Sequence, residues 1–190
     1  IPPEARAAAI LFAAIVAATA FLSSGLSAHL IALLTGCGIG PEGAVALAAM
    51  PGIAQSAARL LEIVLGRRLD PRALALVAAV ILTLGMAAGP AIAGAGPGAA
   101  IFVLGYGAGN GLLTIARGSL PLVLFPVADY AVIAGRLIAP SFYAAAAAPL
   151  LYATLIARAG PGAALGLSLA LALLAAAAAA ALFVRRRTAV

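Results

Sequence analysis

An arginine stands inside an otherwise uncharged, strongly apolar stretch, residues 105–125, GYGAGNGLLTIARGSLPLVLF. Glycine fills positions 105, 107, 109 and 111 ahead of it. A run of this length and polarity reads as a membrane helix, because ~20 residues rising ~1.5 Å each cross a ~30 Å hydrocarbon layer. An unpaired guanidinium facing lipid near mid-membrane costs roughly 3 kcal/mol even on a lenient scale. Arg117 therefore requires other helices around it. The four glycines form two overlapping GxxxG pairs, which favour close contact between helices. Together these features predict a polytopic bundle with a polar interior.

The composition agrees with a chain that needs lipid as solvent: 66% of the 190 residues are hydrophobic, 8% are charged, and the mean hydropathy is +1.23. Its length holds about six spans with short loops. The expected fold is all-α, a single polytopic membrane domain of six transmembrane helices near 7–34, 42–66, 73–93, 98–125, 129–157 and 163–184. The breakers GCGIGP, GRRLDPR, GAGPG and the 159–162 turn separate the spans, and Pro140 and Pro149 are expected to kink the fifth. Loop arginines collect on one side (Arg6, Arg67, Arg68, Arg72, Arg185, Arg186 and Arg187) against Arg158 alone on the other. This bias places both ends of the segment in the cytoplasm, in a cell (inner) membrane. The opening Ile-Pro-Pro-Glu reads as the end of a loop, so a longer protein is expected.

Several function classes fall away. The net charge of +6 comes from arginines without lysine, few of them in one exposed cluster, so nucleic-acid binding is not expected. One cysteine, Cys37, and one histidine, His29, are too few for a metal site or an internal disulfide. No cofactor is expected, since Asn110 and Leu112 stand where a GxGxxG fingerprint needs its third glycine. The first span is far longer than a signal-peptide apolar core. An intramembrane serine protease needs serine and histidine on neighbouring helices, and Ser119 faces away from the polar stripe of its span. No enzyme is expected.

The polar residues inside the spans carry whatever chemistry there is. Tyr106, Asn110, Thr114 and Arg117 recur at helical spacing within about a quarter of the circumference, a stripe suited either to a water-filled cavity wall or to interhelical hydrogen bonding. On the first span Thr19, Ser23 and Ser27 share one face, and His29 shares another with Gly25; His29 could accept a proton, meet substrate, or simply bond a neighbouring helix. On the second, Gln55, Arg59 and Glu62 fall in a narrow arc. On the fifth, Asp129, Arg136, Tyr143 and Thr154 share a face with Pro140. Arg59, Arg117 and Arg136 each lie about 10–12 Å inside the same boundary at ~1.5 Å per residue. Glu62 and Asp129 are the acids placed to pair with them, which leaves one arginine over. The five form either a gating salt-bridge cluster or, through the surplus arginine, a contact for an anionic substrate.

The loop GRRLDPR, and GNGLLTIARGSLPLVLF followed by DYAVIAGRLIAP, resemble the C-terminal half of a major facilitator superfamily transporter, over the whole chain. Gly66-Arg67-Arg68 is similar to the tail of that family's cytoplasmic loop motif, without its preceding aspartate-arginine pair and with Glu62 one residue off. The glycine-rich fourth span most resembles bacterial members related to monocarboxylate and drug carriers. The resemblance implies a second, N-terminal six-helix half absent from this chain, related by a pseudo-twofold axis, with substrate held at the midplane between halves. Spans one, two, four and five would wall the cavity, and three and six would support it. The implied function is secondary active transport of a small organic solute, an organic anion or drug-like compound, by alternating access with proton coupling. The other reading of the same spans is a channel or structural subunit built by a second copy of the chain.

Overall fold

The computed structural model describes residues 5–65, 70–92, 96–126 and 129–185, with only the backbone of Leu65. Four helices lead to a much longer fifth: α1 (Arg6–Gly36), α2 (Pro41–Leu65), α3 (Pro71–Ala87), a 3₁₀ turn (Gly89–Ala91), α4 (Pro97–Leu124) and α5 (Tyr130–Arg185). Three of them open on a proline at the first helical position, where the missing N–H would have had no partner anyway. Asp70 caps α3 by accepting the Arg72 backbone N–H at 2.8 Å, and Arg72 Nη2 reaches the Val123 carbonyl at 3.3 Å, joining the start of α3 to the end of α4. The breaker residues Gly66, Arg67 and Arg68 and residues 93–95 lie outside the described residues, as do Arg186 and Arg187.

All five helices are long and apolar enough to cross a membrane, which is not the expected count of six. The difference lies in α5, whose 56 residues include one non-helical position, Gly160 at φ 80° and ψ 173°. Glycine reaches positive φ without a Cβ clash. Pro140 and Pro149, expected to kink the chain, both sit inside helical stretches of α5. The chain reverses at Gly160. Tyr152 and Ser168 would stand ~24 Å apart along a straight helix, yet their hydroxyls meet at 2.8 Å. Ser168 gives its own proton to the Ala164 carbonyl, so Tyr152 is the donor.

Packing follows small residues. Gly105 meets Gly85 of α3, where an added Cβ would fall 2.6 Å from the Gly85 Cα, and Gly109 meets Leu82 one turn on, also at 2.6 Å from its N. The alternate pair faces the other way: Gly107 lies against Pro51 and Gly111 against Gln55, both on α2. Thus α4 is clamped between α2 and α3. On the other side, Tyr152 fills the space that a side chain at Gly25 would take, and α1 runs closely along α5. Contacts between α1 and α4, and between α4 and α5, are sparse by comparison. Outward, Ile53, Leu60, Val64, Leu84 and Leu150 are exposed, the surface that lipid rather than water would cover.

Replacing Gly109 by leucine should force α3 and α4 apart and cost about 1–3 kcal/mol, as overpacking does. Gly118, with open space around it, should accept alanine without loss. Thermal melts in detergent, followed by size-exclusion, check both; equal melting of the two variants would contradict the clamp.

Candidate functional site

Where α1 and α4 separate, two adjoining clefts open that share Ser23, Ser27 and Asn110. One, about 280 Å³, is bounded by Thr19, Ser24, Thr114 and Arg117; the other, about 540 Å³, reaches α2 at Pro51, Gly52 and Gln55. Tyr106 stands at their junction, 3% exposed. Its hydroxyl donates to the Ser23 carbonyl at 3.2 Å, and its oxygen is left to accept from Ser23 Oγ at 3.3 Å and Ser27 Oγ at 3.1 Å. This knot is the polar link between α1 and α4. It fixes one wall of each cleft.

Three other lining groups are free to meet something in the clefts. Asn110 and Gln55 are half-buried, and among the described residues neither side-chain amide has a hydrogen-bond partner. The Thr114 hydroxyl is occupied, donating to the Asn110 backbone carbonyl at 2.8 Å. Arg117 is half-buried, with its guanidinium carbon over the Phe142 ring at 5.5 Å from the centroid. Such a contact uses the cation's charge and leaves its N–H donors available.

Seven of the predicted residues therefore come together: Ser23, Ser27, Gln55, Tyr106, Asn110, Thr114 and Arg117. Two do not line these clefts. Tyr143 is 80% exposed on α5, and His29 turns to α5, where Nε2 bonds the Pro149 carbonyl at 2.9 Å. A carbonyl only accepts, so Nε2 carries hydrogen. The five residues of the expected salt-bridge cluster stand apart. Arg59 gives Nε to the Gly111 carbonyl at 3.5 Å, Glu62 is half-buried, and Asp129 and Arg136 are exposed. Among the described residues no ion pair joins any of them with Arg117.

Two participants escaped the sequence reading of the site, Ser24 and Phe142, while Thr19 lies where its shared face with Ser23 and Ser27 puts it. Ser24 Oγ donates to the Ala145 carbonyl at 2.7 Å. That carbonyl lies four residues before Pro149, which has no N–H to offer it. The proline announced an orphan acceptor; only the packing of α1 on α5 supplied the donor. Comparison of the chain with protein-family models, curated proteins and solved structures finds no match.

Ser24→Ala should leave that carbonyl orphaned and destabilise the fold by about 1 kcal/mol. In a Pro149→Ala background, where residue 149 regains its N–H, the same change should cost less. A double-mutant cycle on melting temperature measures the difference, and strict additivity would refute the pairing.

Proposed function

We propose that this chain is a six-span half of a secondary transporter of the major facilitator type, moving a small organic solute by alternating access with proton coupling. The observation that carries the reading is the pair of polar clefts between α1, α2 and α4, inside helices whose outer surface is apolar. A merely structural bundle has no use for uncommitted amides and an arginine facing a cavity, because each unsatisfied polar group in a membrane is costly. The two arms of α5 on either side of Gly160 then count as separate spans. The fold-back through Tyr152 and Ser168 supports that count.

In this reading an N-terminal half, or a second copy, closes the clefts from the open side. The sparse contact between α1 and α4 leaves room for the cavity to change shape, while the tight α2–α4, α3–α4, α3–α5 and α1–α5 seams hold its walls. The chain lies in the cell (inner) membrane, with its arginine-rich ends and loop on the cytoplasmic side.

Reconstituted full-length protein should show saturable solute uptake that rises with an inward proton gradient and collapses with an ionophore. Asn110→Trp, which fills the space shared by both clefts, should abolish flux while the protein remains in the membrane. Rapid, non-saturable flux would favour a channel.

Orientation has a native probe. Cys37 sits in the α1–α2 connection, at the end opposite the α2–α3 loop, and burial pushes its thiol up, so thiolate is scarce near neutrality. An impermeant maleimide at about pH 8.5 should label intact cells, and the Cys37→Ser variant should lose that signal. Labelling that appears only after permeabilisation would reverse the orientation.

A further inference from the structure

We infer that the ligand of these clefts is a polyhydroxylated monocarboxylate of roughly sugar size, held by its carboxylate on Arg117 and by its hydroxyls on Asn110 and Gln55. The inference rests on the clefts being the carrier's substrate site. Three observations on the site converge on that chemistry.

The first is charge. Among the described residues Arg117 is the one ionisable group lining either cleft, apart from the Tyr106 phenol, and none of them brings a carboxylate to the lining. Its stacking partner Phe142 neutralises nothing and takes none of its N–H donors. Arg59, on α2, is turned to the Gly111 carbonyl and lines neither cleft. A single guanidinium matches a single carboxylate in a bidentate pair. A phosphate monoester, at about −1.5 to −2 charge, would leave negative charge unmatched on the walls this chain supplies.

The second is the kind of polar group beyond the arginine. The amides of Asn110 and Gln55 each offer donors and an acceptor, and neither is used within the described chain. Hydroxyl groups, which also donate and accept, satisfy both ends of such amides. An apolar tail would strand them at the cost of an unsatisfied buried group.

The third is spacing. Asn110 and Arg117 are seven residues apart on one face of α4, so their backbones stand ~10 Å apart along the axis. Both side chains reach toward the same space. An extended chain of about six carbons can place its acid group at one and its hydroxyls at the other, with the wider cleft continuing to Gln55.

Equilibrium dialysis of radiolabelled gluconate against the full-length protein in nanodiscs tests this directly, because it needs no flux. Gluconate should bind saturably. Competition by sorbitol, which lacks the charge, by hexanoate, which lacks the hydroxyls, and by glucose 6-phosphate, which carries the larger charge, should each be about tenfold weaker or less. Arg117→Gln should weaken gluconate at least about tenfold while leaving sorbitol competition unchanged, and Arg117→Lys should fall between. If an arginine variant does not fold, the wild-type competition series decides alone. Sorbitol or hexanoate competing as well as gluconate would overturn the inference, as would full gluconate binding by Arg117→Gln. Saturable gluconate binding without any transport in vesicles would uphold the ligand class and refute the carrier. Solute flux blocked by Asn110→Trp in a protein that does not bind gluconate would do the reverse.

Discussion

The close approach of α4 to two neighbours at once is the constraint on which the rest of the structure depends. At about 100° per residue, Gly105 and Gly109 point one way, and Gly107 and Gly111 point nearly opposite. One pair lets α3 in and the other lets α2 in. Tyr106, Asn110, Thr114 and Arg117 occupy the arc between these two faces, so the clamping itself aims the polar stripe at the gap beside α1. No side chain needs to be steered there separately. In a bilayer, where apolar surface gains little from leaving lipid, backbone contact of this kind is the main means of fixing a helix's rotation.

The other half of the bundle is held by a different device. Here α1 and the folded-back α5 exchange a ring for a missing side chain, Tyr152 over Gly25, and their polar bonds go from side chain to backbone. Ser24 and His29 reach the Ala145 and Pro149 carbonyls on one short stretch of α5. Proline in a membrane helix creates an acceptor that lipid cannot satisfy, and α1 supplies the hydroxyl that does. The two groups meet where α3 packs against α5, and along the looser α1–α4 seam they are linked by the hydrogen-bonded knot around Tyr106. The clefts lie along that seam, and Arg117 closes one end of them with its charge resting on Phe142.

The helical character of the chain and its long apolar helices were legible in its composition and apolar runs, and the stripe on α4 in simple spacing. The site was only partly so. Periodicity says which residues share a face, and that was enough to group Ser23 with Ser27 and Tyr106 with Asn110 and Arg117. It does not say which face meets which helix, so His29 joined the expected cavity although it bonds α5, and Tyr143 although it is 80% exposed and lines neither cleft. The salt-bridge cluster came from equal depth in the membrane. Depth is one coordinate of three: Arg59 turns to the Gly111 carbonyl and Arg117 to the Phe142 ring, and Arg136 has no partner among the described residues.

What the sequence determined by itself is therefore local and one-dimensional: apolar stretches long enough to cross a bilayer, glycines that permit close contact, prolines that open helices or orphan a carbonyl, and an arginine that must be sheltered. Tertiary structure decided the rest. It turned α5 back at Gly160, gave alternate glycines to different neighbours, and left the Asn110 and Gln55 amides facing adjoining clefts without a partner among the described residues, with Arg117 resting on the Phe142 ring. The physical reason is that each residue carries its own polarity and backbone freedom wherever it lies, whereas a partner is a property of two segments brought together, and no spacing within one segment encodes it.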